Sequence, residues 1–229
     1  GPTNQEEPSY AHAVGAVYRN SDPSDIVVTA AGGLVGEVVQ VWKPKQLNTF
    51  ETEWGFSCMG YEISGALGIK MAKPDQDVVV FVGDGSYLLN NTDIYSSVIY
   101  DQKLIIIVCD NGGHMVINRL QLAKGGKEYI CNLRAARATN LKFVDFENHA
   151  KSMGANAETV SSTSELEAAY KRAKGSDKTY VITIKTHGYE WLEGTAFWES
   201  PTLEVHSNAE NKKAYQEFID GKNKQRKGV

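Results

Sequence analysis

The sequence predicts an α/β fold of the doubly wound class, with a mostly parallel sheet and helices on both of its faces. Short apolar runs rich in β-branched residues, such as those at 77–83 and 104–110, are typical of strands buried on both sides. Helical patterns separate these runs, and strands that alternate with helices favour a parallel sheet. Glycines close several of the runs, as expected where a strand turns into a helix.

Local patterns set the bounds of each predicted element. Asp22-Pro23 and Pro74 end the helices that precede them, because proline cannot continue a helix. Gly32-Gly33 ends the first apolar strand, and residues 162–164 provide an N-cap for the predicted helix 163–174. The predicted helices cover 10–20, 34–42, 58–72, 87–100, 145–153, 163–174 and 209–221, and the predicted strands cover 26–31, 47–50, 77–83, 104–110, 156–160 and 179–186.

The predicted domain organisation is simple. Residues 1–9 are expected to be a flexible lead, since Gly1-Pro2 resembles the remnant of a cleaved tag. One domain is predicted over 10–205, and 206–229 should form a C-terminal helix with a frayed basic tail. Between 112 and 142 the periodicity weakens, and long irregular segments in compact domains are usually functional or disordered.

Composition excludes several classes of function. The 229 residues include 24 Lys and Arg against 28 Asp and Glu, a net charge of -4 that gives no reason to expect a nucleic-acid or anionic-membrane partner. No apolar run approaches the roughly 20 residues of a membrane span, and no secretory signal is visible. Cys58, Cys109 and Cys131 are odd in number and widely spaced, which predicts reduced, buried thiols in a cytoplasmic protein.

Three predicted strand ends have residues that suit a bound anion and its metal ion. They are Gly32-Gly33, Gly83-Asp84-Gly85-Ser86 and Asp110-Asn111-Gly112-Gly113. Glycines let main-chain N–H groups approach an anion, and helix N-termini favour negative charge. A carboxylate and an amide oxygen at the same edge suit Mg²⁺ or Ca²⁺ bridging a diphosphate. Asp-Gly and Asn-Gly also form hairpin turns, but a helical pattern follows Gly85.

The run from Gly83 to Asn111 resembles the thiamine diphosphate motif, which begins with GDG and ends at an asparagine just under thirty residues later; here Asn111 lies 27 positions after Asp84. The resemblance implies a thiamine diphosphate enzyme with Mg²⁺ as its metal. It places Asp84, the Asn111 side chain and the Gly113 carbonyl on the metal. It also places Gly83, Gly85 and Ser86 at the diphosphate.

The segment Ser57-Cys58-Met59-Gly60 resembles a second stretch of this family, in which the methionine supports the V shape of the cofactor. Met59 would have that role, and the Ser57 carbonyl would accept a hydrogen bond from the aminopyrimidine. Many relatives have glycine where Ser57 stands and asparagine where Asp110 stands. The two departures therefore indicate a particular subfamily of the thiamine diphosphate enzymes. The resemblance extends cofactor contacts to Gly32, Gly33, Leu34, Cys58, Asn111 and Met115.

A narrower resemblance covers 42–72, 83–87 and 110–121. These stretches are similar to the C-terminal domain of the trihydroxycyclohexane-1,2-dione hydrolases of myo-inositol catabolism, which cleave a cyclic polyol diketone. The alternatives with the same cofactor are an acetolactate-synthase-like carboligase and a 2-oxo-acid decarboxylase. Alternatives of other classes are a non-catalytic cofactor-binding module and a dinucleotide-binding dehydrogenase, although AAGGLVGE fits the dehydrogenase fingerprint badly.

The resemblance also implies that no catalytic residue lies in this chain. The family activates its cofactor with a glutamate from the N-terminal pyrimidine-binding domain of a partner subunit, so the full-length protein is expected to be a homo-oligomer. Glu51, Glu53 and Glu62 are expected to be surface carboxylates instead. The aromatic stretch 187–199 is a candidate subunit contact.

The segment 113–140 is predicted to be a mobile lid that orders over cofactor and substrate. It follows the metal-binding loop and contains His114, Arg119 and Lys124. The alternative is an ordinary surface excursion with His114 exposed to solvent.

Overall fold

A computed structural model describes residues 7–137, 139–194, 202–206 and 208–226. The strands in these ranges form one six-stranded sheet in the order β2-β1-β3-β4-β6-β5, and every neighbouring pair is parallel. The doubly wound fold predicted from the sequence is therefore confirmed. The strands are β1 (Ile26–Thr29), β2 (Phe50–Thr52), β3 (Val78–Gly83), β4 (Ile105–Asp110), β5 (Asn156–Val160) and β6 (Tyr180–Lys185).

The helices connect these strands in chain order. By internal contacts the chain divides into two units, the first comprising residues up to 113 and 142–191, and the second 114–141 and 192–229. The helices of the first unit are α1 (Tyr10–Arg19), α2 (Gly32–Val41), α3 (Tyr61–Ala72), α4 (Asp84–Leu89), α5 (Asp93–Ile99), α7 (Phe146–Ser152) and α8 (Thr163–Lys174). The helices of the second are α6 (Met115–Ala123) and α9 (Ala209–Lys224), and a 3₁₀ turn lies at Leu133–Ala135.

The sheet is buried on both faces because successive strand residues point to opposite sides. In β3, Val79 and Phe81 belong to one hydrophobic cluster, while Val78, Val80 and Val82 belong to the other. The first cluster includes residues of α1, α2 and α8, and the second includes residues of α3, α4, α5 and α7. No helix in the described ranges is long and apolar enough to cross a membrane.

Two predicted elements were wrong in detail. The predicted helix 87–100 is two helices, α4 and α5, because Asn90 adopts an extended backbone and its side chain donates to the Gly60 carbonyl and Ser64 Oγ. Side-chain bonds of this kind compete with helix formation. The segment 112–142 is less irregular than expected, since it contains α6.

Smaller differences lie at element ends. The β2 strand lies at 50–52 rather than 47–50, and α9 runs to Lys224. The three cysteines are free, as predicted, but Cys58 is exposed and Cys131 only partly buried, so the expectation of buried thiols holds for Cys109 alone. The frayed tail lies partly at 227–229 and the aromatic stretch partly at 195–199, outside the described residues.

An ion-pair network around the buried Asp25 lies at the amino-terminal edge of the sheet. The Asp25 carboxylate, 3 % exposed, accepts hydrogen bonds from Tyr170 Oη at 2.8 Å and from Lys174 Nζ at 2.7 Å. Lys174 also pairs with Asp22 at 2.7 Å and with Asp77 at 3.3 Å. This cluster joins the loop before β1, the residue before β3 and the end of α8.

Replacing Lys174 with methionine should destabilise the fold strongly, because it leaves the buried Asp25 carboxylate without its cation. Breaking a buried pair from one side costs about 3–5 kcal/mol. Urea unfolding would measure the loss, with Lys171→Met as the matched control because Lys171 is exposed on the same helix. Equal unfolding midpoints for the two variants would contradict the structural role of the pair.

Candidate active site

Three adjacent strands bring the predicted cofactor loops to one edge of the sheet. The strands β1, β3 and β4 are consecutive neighbours and run parallel, so their carboxyl ends lie side by side. Gly32 starts α2 after β1, Asp84 starts α4 directly after β3, and Asn111 follows β4. Ligands of open parallel sheets bind at this edge.

Asp84 is a buried carboxyl at the centre of this edge. It is 5 % exposed, and its Oδ2 accepts a hydrogen bond from the Gly113 N–H at 2.7 Å. Burial and the nearby charge of Asp110 raise the pKa of Asp84 to about 7, although N–H bonds from Gly113 and Gly85 oppose the shift. A buried negative charge of this kind is costly without a positive partner.

Asn111 presents an unsatisfied oxygen beside Asp84's loop. Its Nδ2 donates to Tyr10 Oη at 2.6 Å, while its buried Oδ1 has no hydrogen-bond partner among the described residues. Buried polar atoms without a partner are rare and call for an explanation such as a bound ion. An amide oxygen and a carboxylate are ligands that Mg²⁺ accepts, so the residues present fit a hard cation.

The loop after β4 needs its glycines. Gly112 and Gly113 have φ angles of 81° and 139°, in the region that favours glycine. Asp110 Oδ1 accepts from the Gly112 N–H at 3.0 Å, which tightens the turn. No group of three or more His, Cys, Asp or Glu side chains suited to a metal exists within the described ranges.

The expectation of a surface carboxylate was wrong for Glu62, which is buried and accepts hydrogen bonds from three separate turns. It is 1 % exposed. Its Oε1 accepts from Ser86 Oγ at 2.8 Å and from the Ala31 N–H at 3.3 Å, and its Oε2 accepts from the Gly60 N–H at 2.9 Å. Burial raises its pKa in spite of these bonds. The carboxylate thus joins the end of β1, the start of α3 and the first turn of α4.

The stretch 57–60 lies next to this carboxylate. Ser57 has a φ of 52°, a conformation that glycine adopts without strain, so serine here carries a local cost. Cys58 and Met59 are exposed, Met59 by 38 %. Glu53 holds the loop by accepting the Cys58 N–H at 2.8 Å and the Phe56 N–H at 3.0 Å.

The remaining predicted residues divide into two groups. Gly33, Gly83 and Gly85 lie at the same sheet edge, whereas the Leu34 side chain is 2 % exposed and packs in the core, which leaves its main chain for a ligand. Met115 starts α6 in the second unit, where it is 5 % exposed; its role stays a prediction, as does the lid at 113–140.

Sequence reasoning missed two residues of the site. Glu62 had a signal, since it is the one acidic residue in a helical stretch of small and apolar residues. Tyr10 had none, because its partner Asn111 lies 101 positions away.

Comparison with known proteins places the chain in a family. Residues 30–184 match the thiamine pyrophosphate enzyme C-terminal TPP-binding domain. The match covers more than half of the chain, and the chain belongs to this family. The resemblance noted from the GDG and asparagine motif is thereby confirmed.

Two relatives of the chain carry the name of the same hydrolase. The chain is 38% identical over 215 residues to the 3D-(3,5/4)-trihydroxycyclohexane-1,2-dione hydrolase of Lacticaseibacillus casei, with 91% of this chain and 33% of that protein covered. It is 35% identical over 218 residues to the hydrolase of the same name from Halalkalibacterium halodurans, with 93% and 33% covered. The chain spans about a third of the length of these relatives.

A solved structure supports the fold. The thiamine diphosphate-dependent 4-hydroxybenzoylformate decarboxylase of Rhodococcus jostii RHA1 superposes with a TM-score of 0.68 at 19% identity, covering 81% of this chain and 34% of the decarboxylase. At this identity the likeness concerns the fold alone.

Proposed function

We propose that this chain holds Mg²⁺ and the diphosphate of thiamine diphosphate, as the cofactor-binding part of a hydrolase that cleaves a C–C bond of a trihydroxycyclohexane-1,2-dione. The observation that carries the proposal is the pair formed by the buried Asp84 carboxyl and the unsatisfied Asn111 Oδ1 on neighbouring strand ends. The family supplies the cofactor, and the names of the relatives supply the substrate class.

The residues of the sheet edge have distinct roles in this proposal. Asp84, Asn111 and the Gly113 carbonyl hold the cation, and the main-chain N–H groups of Gly85 and Ser86 face the diphosphate. The Ser86 hydroxyl is already engaged, since it donates to Glu62 and accepts from the Gly60 N–H at 3.2 Å. Its N–H is therefore the group that remains for a phosphate.

Further contacts come from the other two loops. The proposal gives Met59 the support of the cofactor's shape and the Ser57 carbonyl a bond to the aminopyrimidine. From the far side, the first turn of α2 at Gly32, Gly33 and Leu34 offers main-chain N–H groups with the helix dipole behind them.

The cofactor, when bound, supplies the electron sink for breaking a C–C bond next to a carbonyl. In this proposal the present chain contributes no group for activating it. Glu62 is not suited to that task, because three donors already occupy its carboxylate. We infer that the activating glutamate comes from an N-terminal domain of a partner subunit, and that this chain alone turns over no substrate. Turnover by this chain at the rate of a full-length relative would contradict that inference.

Isothermal titration of the chain with thiamine diphosphate and Mg²⁺ tests the binding proposal. We expect Asp84→Ala to lower the affinity at least tenfold, because Asp84 is the charged member of the three protein ligands proposed for the cation. Asp75→Ala is the matched control, since Asp75 is exposed at the other end of β3. Equal affinities for Asp84→Ala and the parent would refute the metal assignment.

The substrate is tested separately in a full-length protein that contains this chain. Assays against trihydroxycyclohexane-1,2-dione and against pyruvate distinguish the hydrolase from a carboligase or decarboxylase. Activity on pyruvate alone would overturn the substrate proposal and leave the cofactor proposal intact.

A further inference from the structure

Tyr10 lies at the candidate cation site, far from it in sequence. It is the first residue of α1, and its hydroxyl oxygen accepts the Asn111 Nδ2–H at 2.6 Å. The same oxygen lies 3.8 Å from the position that a Cβ would take at Gly83, the residue before Asp84. Tyr10 therefore reaches both strand ends, those of β3 and β4, that hold the proposed metal ligands.

The position of Tyr10 is fixed by its own helix. The Ser9 side chain caps α1 by accepting the His12 N–H, and the Pro8 carbonyl accepts the His187 N–H at 3.0 Å. Behind Tyr10, the α1 residues Ala13 and Val17 are fully buried in the core cluster shared with α2 and α8. A side chain anchored in this way can orient a neighbour.

An asparagine amide has an oxygen on one side and an NH₂ group on the other, and its neighbours decide which side faces a ligand. A tyrosine hydroxyl can donate as well as accept; in the structure the Tyr10 oxygen accepts the Nδ2–H and so holds the NH₂ side of Asn111. The Oδ1 side is then the buried atom left without a partner among the described residues. If the amide turned over, an NH₂ group would meet the cation and no oxygen would coordinate it.

We propose that Tyr10 is a positioning residue of the cation site, which holds the Asn111 amide with its oxygen free for the metal. This inference rests on the proposed function. It assigns the first turn of α1, outside the three strand-end loops, to the metal site.

The test is the Tyr10→Phe variant, which removes the hydroxyl and keeps the ring. Mn²⁺ is titrated in the presence of saturating thiamine diphosphate, and bound ion is detected by electron paramagnetic resonance, a readout that does not depend on turnover. We expect the apparent Mn²⁺ affinity to fall about tenfold, as for other residues that orient metal ligands. Tyr18→Phe is the control, because it removes a hydroxyl from the same helix at a ring that packs on Trp42.

A second pair of variants separates orientation from general damage. Asn111→Asp places an oxygen on both sides of the group, so orientation no longer matters, and Tyr10→Phe should cost less than twofold in that background. A tenfold loss in both backgrounds, or none in either, would overturn the inference while the parent still binds metal and cofactor. Absence of binding by the parent would refute the proposed function itself, and the inference with it.

Discussion

The Asp84→Asn variant is expected to be more stable than the parent at pH 8 when metal and cofactor are absent. The Asp84 carboxyl is 5 % exposed, and its pKa of about 7 lies above the ordinary value of 3.8. Because the folded chain binds this proton more tightly than the unfolded chain, the stability that Asp84 contributes is present at low pH and is lost as the pH rises from about 4 to about 7. The full loss amounts to roughly 4 kcal/mol.

Asparagine avoids this loss because it is neutral and its amide oxygen still accepts the Gly113 N–H. Urea unfolding at pH 8 and pH 5 measures the difference, which should be large at pH 8 and smaller by about half or more at pH 5. Asp75→Asn, at an exposed position, should show no pH-dependent difference. An equal difference at both pH values would show that the buried charge is not its cause.

The same variant should lose a large part of the stabilisation that ligands give. A ligand that binds only the folded state raises its stability by mass action, by about 2.7 kcal/mol at a hundredfold excess over the dissociation constant. Thiamine diphosphate and Mg²⁺ at concentrations that stabilise the parent by this amount should stabilise Asp84→Asn by about 1.4 kcal/mol or less, if its affinity is at least tenfold lower. Such an exchange of stability for binding is common at functional sites.

Replacing Glu62 with alanine is expected to have the largest destabilising effect among the residues of the site edge. The change removes the buried acceptor of the Ala31 N–H and of the Ser86 hydroxyl. It leaves the Gly60 N–H only its longer hydrogen bond to Ser86 Oγ at 3.2 Å. An unsatisfied buried polar group costs about 1–3 kcal/mol, so the loss should reach about 3–5 kcal/mol. Affinity for the cofactor should fall as well, because the turns that contain Ala31, Gly60 and Ser86 lose the acceptor that they share.

Glu62→Gln gives the matched comparison. It keeps the size of the side chain and one acceptor oxygen, but its NH₂ group cannot accept, so the expected loss is about 1–3 kcal/mol. Glu53→Ala is the control for the loop itself, since Glu53 accepts two N–H groups of the exposed 53–58 segment. If the three variants unfold at the same urea concentration, Glu62 does not hold the three turns together.

The strands and their ends followed from the sequence because the responsible forces are local. In a run such as 104–110, the residues that face either side of the sheet are mostly apolar and often β-branched. This pattern is typical of a strand that is covered on both faces. Parallel strands bring their carboxyl ends together, so the pattern alone predicts Asp84 and Asn111 at one edge, as the strand order confirms. The split between α4 and α5 was missed because Asn90 satisfies groups near Gly60, 30 positions away.

The interior polar contacts did not follow from the sequence for a similar reason. A glutamate in a helical pattern is normally a surface residue. The apolar stretch around Glu62 is a signal that it is unusual, but it does not show that the donors to its carboxylate are Ala31, Gly60 and Ser86. Tyr10 depends on a single contact with Asn111. Such contacts exist only once the chain is folded, and they are the ones on which the site's geometry depends.

The interruption at Asn90 has a mechanical consequence. Its side chain holds the Gly60 carbonyl, and a Cβ at Gly60 would come within 2.7 Å of the Asn90 Cβ. The turn that contains Met59 is thus held against the C-terminal end of α4, the helix that begins at Asp84. The turn to which we assign support of the cofactor's shape and the turn to which we assign the diphosphate should therefore shift together. A variant that replaces one of these two turns should also need a matching replacement of the other.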